Sequence, residues 1–320
     1  MYAFGRCPLT RPTPTQGATV NPLDRYEPLV DDPAAFRDAC NRPLPYAVRV
    51  NTIKSTAERV RAAFDEAGVG YESVPWHDDL LVLDGKVGRT WPYFLGWIHG
   101  QEVVSALPAT VLDPQPGERV WDACAAPGSK TTQLAARMDD RGTLVGNDNA
   151  LGRISALRHN AERLGVTNLV VTNQDARNFS MKPLAFDAFD RAVVDAPCSC
   201  EGTCRKNPTA VEEWTLNHVN QVAGVQKGIL KRAVQATREG GTVVYSTCTF
   251  APEENEAVLD HVLHEEPCQV VDFDPRLETS PGVTEWEGET FDASVAKAHR
   301  VYPHQNDTGG FFCAKLAVTG

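Results

Sequence analysis

The chain has 320 residues, 42% hydrophobic and 23% charged, with a formal net charge of −11. This is a globular composition, and it holds no apolar run near the ~18 residues that a bilayer span requires, so no membrane partner is expected. Nine scattered cysteines without an apolar signal core point to a reducing cytoplasm, and 42 acidic against 31 basic residues restrict any nucleic-acid partner to a local basic groove.

Residues 1–25, rich in Pro and Thr, read as a loose lead-in, and residues 26–99 as a small α+β module. Within that module "YAVRVNTI" (46–53) alternates like a strand, and "STAERVRAAFDEAG" (55–68) reads as a helix. Ser55 and Glu58 have the spacing of a capping box, with Val60, Phe64 and Ala67 on the inner face. "YESVPW" and "DLLVLD" follow as short strands. Residues 100–320 form the main body, where strands ("GERVWD", "TLVGN", "LVVT", "FDRAVVD", "GGTVVYST") alternate with helices. That rhythm predicts a mostly parallel α/β sheet with helices on both faces. "QVVDF" and "GFFCAKLAV" are candidate late edge strands.

In such sheets ligands lie beyond the carboxyl ends of the strands, so the loops there carry the functional content. The first is "DACAAPGSKT" (122–131). Cys124 and Ser129 occupy positions where a triphosphate-binding loop needs glycine, and the G-x-G-x-x-G dinucleotide pattern is missing too. Asp148, Asp175 and Asp195 then close three successive strands, a pattern that suits a nucleoside-bearing cofactor: a strand-end acid accepts hydrogen bonds from ribose hydroxyls.

Cys198 and Cys248 follow adjacent strands, in "DAPCSCEGTCRKNP" and "YSTCTFAPEENE". A zinc reading takes Cys198, Cys200 and Cys204 with Cys248 or a histidine. Its C-x-C-x3-C spacing is compressed and lacks a second knuckle, so no resident metal is expected. The alternative is covalent catalysis. A thiolate adding to C6 of a pyrimidine makes C5 an enamine carbon able to take a methyl group, after which a base removes the C5 proton and the thiol leaves.

"DACAAPGSKT", "DAPCSCEGTCRKNP", "YSTCTFAPEENE" and "RVYPHQNDTGGFFCAKL" resemble, in order, the signature motifs of the RsmB/Nop2/Sun family of RNA cytosine-C5 methyltransferases. The resemblance runs from about residue 46 to the C-terminus and leans towards the archaeal, tRNA-acting branch. It implies a class I, Rossmann-like methyltransferase fold using S-adenosyl-L-methionine. Cys124, Ala125, Ala126, Pro127, Gly128, Ser129 and Lys130 would line the methionine end, Asp148 and Arg153 the ribose, and Asp175 the adenine. Cys248 would be the nucleophile and Cys198 the thiol that assists product release. Lys130 and Asp195 would meet the flipped cytosine. Cys200 and Cys204 depart from the family pattern and read as small structural residues.

Secondary expectations follow from the same motifs. Arg49, Arg59, Arg61 and Arg89 are candidates for RNA backbone contact or for a plain solvated face, and Arg205 with Lys206 for gripping phosphate. Pro303 and His304 are expected to turn the chain near the cofactor, the acids of "APEENE" to start a helix, and Tyr245 to pack in the cleft. The expected substrate is tRNA, then ribosomal RNA, bound by a monomeric cytoplasmic enzyme. The rival is a catalytically silent RNA-binding assembly factor, against which the presence of both thiols argues.

Overall fold

Strands buried on both faces read as near-continuous apolar runs, and those between residues 119 and 247 assemble accordingly. The computed structural model describes residues 21–320. Four short strands, β1 (Tyr46–Val50), β2 (Tyr71–Ser73), β3 (Leu80–Leu83) and β4 (Ile98–Gly100), form an antiparallel sheet in the order β2-β3-β1-β4. The main sheet contains β5 (Arg119–Asp122), β6 (Thr143–Asn147), β7 (Leu169–Thr172), β8 (Phe189–Asp195) and β9 (Thr237–Thr247). These five are parallel in the order β7-β6-β5-β8-β9, and the strand Phe311–Val318 adds antiparallel to β9. The chain steps outward from β5 to β7 and returns on the other side at β8. The crevice between β5 and β8 is therefore the topological switch point.

Several local expectations shift. The helix Ala57–Ala67 is capped by Thr56, whose hydroxyl accepts from the Arg59 amide at 3.3 Å; Ser55 lies one residue outside it. Val60 and Phe64 are buried, but Ala67 is exposed in the last turn. The helix Leu216–Ala236 runs straight into β9, because the Thr237 hydroxyl caps it by donating to Ala233 O at 2.8 Å.

Of the lead-in, residues 1–20 lie outside the described residues, while Pro22–Leu29 forms a 3-10 helix capped by Asn21. This helix and the next, Pro33–Asn41, do not pack on the small sheet. Tyr26 and Phe36 instead join Phe250 and Tyr302 of the main body, with the Phe36 and Phe250 rings edge-on at 5.3 Å. Burying Phe36 in this cluster contributes roughly 1.5–3 kcal/mol.

The small sheet is clamped to the main body by polar contacts. Asn51 donates to the carbonyls of Gly96 (2.8 Å) and Leu164 (2.7 Å), and Arg163 to those of Tyr93 and Ile98. No helix among the described residues is long and apolar enough to cross a membrane.

Candidate active site

The loop after β5 is shaped by side chains that leave its backbone open to a ligand. Gly128 sits at φ +108, and a Cβ there would meet Leu157 Cδ1 at 3.0 Å, so glycine is required at the start of the helix Ser129–Arg137. Asp148 is buried and accepts from the amides of Ala126 (3.3 Å) and Ala150 (2.9 Å), with Arg153 Nη1 at 3.4 Å. Arg153 also donates to Ala126 O. Asp175 caps the turn Ala176–Asn178 by accepting from the Arg177 amide at 3.0 Å, and pairs with the Arg177 side chain at 2.6 Å. Asn147, which sequence reasoning passed over, braces two loops by donating to Ala123 O and Gln174 O.

Asn147, Asp148, Arg153 and Asp175 line a cavity of about 520 Å³ together with the apolar Val225 and Ile229 and with Cys124 and Cys248, whereas Ala125, Ala126, Pro127, Ser129 and Lys130 of the loop after β5 line a second cavity. The volume and the mixture of acids with an apolar wall suit a nucleoside with a short polar tail. Asp122, at the end of β5, leaves its buried Oδ1 without a partner while Oδ2 accepts from Thr131 at 2.7 Å. Burial raises this carboxyl to about 7, against the opposing pull of the Thr131 bond. Asp122 lines the second cavity, and its orphaned oxygen marks a ligand-binding position there.

A second cavity, of about 370 Å³, opens on the other side, where Gln101, Glu102, Lys130 and Lys206 reach its lining. Cys124, Asp195 and Cys248 line both cavities, so the two adjoin at these three residues. β8 and β9 are in register with Asp195 opposite Ser246, which places the following thiols together. Cys198 Sγ stands 3.2 Å from Cys248 Sγ and 3.6 Å from Cys200 Sγ. Lys130 Nζ donates to Asp195 Oδ2 at 2.7 Å, and Ser246 Oγ to Asp195 Oδ1 at 3.1 Å. Burial works against the Lys130 ammonium, but Asp195 outweighs it and holds the lysine charged.

The three thiols titrate as a group. Hydrogen bonds from Cys198 and Cys248 lower Cys200, while Cys198 is pushed up by its bonds to Cys200 and Cys248 and by burial. Cys248 is helped towards thiolate by Cys198, yet its bond to Cys200, burial and nearby negative charge raise it overall. A first negative charge forms readily in the cluster, and a second is resisted.

Two buried carboxyls lock the thiol-bearing loops to each other. Glu201 accepts from Ser199 Oγ and Thr249 Oγ1, both at 2.5 Å, and from the Phe250 amide at 3.0 Å. Glu254 accepts from the Ser199 amide (3.1 Å) and Gln226 (2.7 Å) through Oε2, and its protonated Oε1 donates to the Ser199 hydroxyl oxygen. Burial, reinforced by the negative charge of Glu201, lifts Glu254 to about 8. Gly202 wedges between the loops: its amide donates to Cys248 O at 3.0 Å and its carbonyl accepts from Gly310 at 2.7 Å. A Cβ on Gly202 would lie 2.6 Å from Cys248 O. Sequence reading missed Glu201, Gly202 and Glu254. The clue was the unbroken "EGT" inside a cysteine motif, where a tight approach needs a glycine.

Several expectations are corrected. Arg205 does not face phosphate; it is buried and spends its nitrogens on the carbonyls of Arg42, Pro43 and Thr308 and on Asp307. Arg49 is likewise buried, bonded to Gln101 at 2.8 Å and Thr132 at 3.0 Å. Arg59 stacks over Trp97, Arg61 bonds Ser73, and Arg89 stays exposed. Tyr245 is fully buried and donates to Glu254 O, away from the cleft. Pro303 and His304 stand by the N-terminal helices rather than the cofactor, with His304 paired to Asp31. The "APEENE" stretch does open a helix, Glu256–Glu265, with Glu256 in its first turn, and its acids are also anchors: Glu253 holds Arg25, and Glu256 holds the buried Arg300. Cys204 lies in the apolar cluster with Cys40, apart from the other two thiols of its motif.

Known proteins share this arrangement. A family model described as 16S rRNA methyltransferase RsmB/F matches residues 109–317. A tRNA (cytosine(49)-C(5))-methyltransferase of Pyrococcus abyssi is 36% identical over 92% of this chain and 94% of its own length. Ribosomal RNA small subunit methyltransferase F of Shewanella denitrificans is 36% identical over 88% of this chain but 56% of its own, so this chain spans little more than half of that relative. The solved structure of a methyltransferase homolog from Pyrococcus horikoshii has a TM-score of 0.81 at 30% identity, covering 92% of this chain and 93% of that one. The two-thiol switch-point site and these likenesses agree: the chain belongs to the RsmB/Nop2/Sun family of RNA cytosine-C5 methyltransferases.

Proposed function

We propose that this protein transfers a methyl group from S-adenosyl-L-methionine to C5 of a cytosine in tRNA, with Cys248 as nucleophile, as a monomer in the cytoplasm. The observation that carries the reading is that Cys248, with Cys124 and Asp195, lines two adjoining cavities, one suited to a nucleoside and one to a base. The cofactor, when bound, supplies an electrophilic methyl group on a sulfonium. Asp148, Arg153 and Asp175 would bind its nucleoside end, Cys124 and Asp195 stand where the two cavities adjoin, and Ala125, Ala126, Pro127, Ser129 and Lys130, on the second cavity, would border its methionine end. A cytosine enters unstacked, since a base inside a helix cannot reach the cleft.

Cys248 would add through its thiolate to C6 and make C5 electron-rich; C5 would then take the methyl group from the cofactor, the methyl–sulfur bond breaking to leave a neutral thioether. Lys130, kept charged by Asp195, donates to the ring and stabilises the negative charge that builds there. Asp195 serves as the proton-handling carboxylate, and loss of the C5 proton re-forms the C5–C6 double bond as the carbon–sulfur bond breaks. Cys198, 3.2 Å from Cys248, assists that release. The four strands before residue 100 and exposed Arg89 contribute RNA contact beside the cleft.

The tRNA choice is supported by the Pyrococcus tRNA enzyme, matched over nearly its whole length. Ribosomal RNA is the second reading, supported by the description of the family model and by the names of relatives that this chain matches over little more than half of their length. Purified protein supplied with labelled cofactor and either tRNA or 16S rRNA transcripts, followed by bisulfite mapping, decides between them. Cys248→Ala is expected to abolish transfer while cofactor binding persists, and Cys198→Ala to leave protein covalently attached to RNA. Full activity in Cys248→Ala would sink the mechanism.

A further inference from the structure

Cys200 has no part in the chemistry above, yet the chain places it with care. It lies at φ +66, in the left-handed region that favours glycine, and its thiol donates to Cys198 O at 3.1 Å. The consequence is a third sulfur beside the reacting pair. One sulfur from each of Cys198, Cys200 and Cys248 lies within 4.8 Å of the other two, the shorter separations being 3.2 and 3.6 Å. Three thiolates each ~2.3 Å from one ion at tetrahedral angles stand ~3.8 Å apart, so only small side-chain adjustments separate this cluster from a ligand set. Cys204, the other extra thiol of the motif, is buried elsewhere with Cys40 and takes no part.

We propose that Cys198, Cys200 and Cys248 chelate one soft, thiophilic cation, zinc being the probe of choice, and that its binding reversibly silences the enzyme by occupying the nucleophile. Two thiols alone would hold such an ion weakly; the third makes the site a chelate, and Cys200 is what supplies it. The fourth position stays open towards the cleft, where water completes the tetrahedron. Binding releases the thiol protons and leaves surplus negative charge, which the Lys130 ammonium, lining the same cavity as Cys248, offsets. Substrate and ion compete directly, since covalent attack on C6 and coordination use the same lone pair of Cys248.

The inhibition arm of this proposal rests on the methylation reading, but the binding arm does not. Chelator-treated full-length protein is titrated with zinc against a chromophoric chelator. Wild type is expected to take one zinc per chain. Cys200→Gly, which also relieves the left-handed backbone, and Cys200→Ser, which keeps a hydroxyl donor to Cys198 O, are each expected to weaken binding more than ~100-fold. Cobalt(II) in place of zinc should give a thiolate charge-transfer band of three-sulfur intensity in wild type, reduced in both variants. Zinc should inhibit wild type, reversibly on adding chelator, at concentrations that leave each variant at its own zinc-free rate. Equal zinc affinity in wild type and variants, or a cobalt spectrum without the third thiolate, overturns the proposal. Tight zinc binding by a protein that methylates no RNA would instead refute the methylation reading and leave the metal site standing.

Discussion

The cofactor-side loops and the thiol-side loops end strands of one sheet, yet they are held in opposite ways. Asp175 is satisfied by a residue two positions away, in contact with solvent, and Asp148 by nearby amides on its own and the neighbouring loop. The thiol loops depend on buried carboxyls, Glu201 and Glu254, that cross between segments about fifty residues apart. A binding end can be built from short-range turns because its ligand completes the hydrogen bonding. A reacting pair of sulfurs must be positioned before the substrate arrives, and that requires a shell already satisfied by the protein.

The contrast predicts a gradient of effects. The largest belongs to Gly202→Val, which drives side-chain atoms into the Cys248 carbonyl. Methyl transfer should fall more than ~100-fold and stability by about 3 kcal/mol in urea unfolding. An unchanged midpoint would show that the two loops are not wedged together. Glu254→Ala comes next, leaving the Ser199 amide and Gln226 unpaired, at a cost of about 2–3 kcal/mol, whereas Glu254→Gln should cost much less.

The same carboxyl gives a pH test. Its folded value, about 8, lies above the usual 4.5, so only the folded state holds the proton in between. Its stabilisation is complete below about 4.5 and fades as pH rises through about 8. Denaturation midpoints across that window should therefore decline more steeply in wild type than in Glu254→Gln; parallel curves would contradict the assignment.

On the cofactor side the effects shrink. Asp148→Asn should weaken cofactor affinity about tenfold by calorimetry, with little loss of stability. Asp175→Ala should weaken it only a few-fold and leave the unfolding midpoint unchanged, because its ion pair with Arg177 is solvent-screened.

What the sequence made legible tracks this division. The succession of strands and the nearness of Cys198 to Cys248 follow from periodicity and from loops at strand ends, both local signals, whereas the order of the strands in the sheet was not read from the sequence. Arg49 and Arg205 misled because charge suggests solvent, and only the tertiary fold reveals the carbonyls that consume their nitrogens. The placement of Pro33–Asn41 on Phe250 was hidden for the same reason: an amphipathic helix announces that it has a buried face, not which surface covers it. Ser55 and Thr56 differ by one residue, and both satisfy a capping pattern until the backbone chooses.

Gly202 has a consequence for the order in which the chain becomes competent. Its carbonyl is held by the Gly310 amide, immediately before the strand Phe311–Val318 that pairs with β9. A chain emerging from the ribosome thus carries Cys198 and Cys248 long before the segment that braces their loops has been made. The nascent protein can fold much of its parallel sheet and still be unable to act on the RNA that surrounds it during translation.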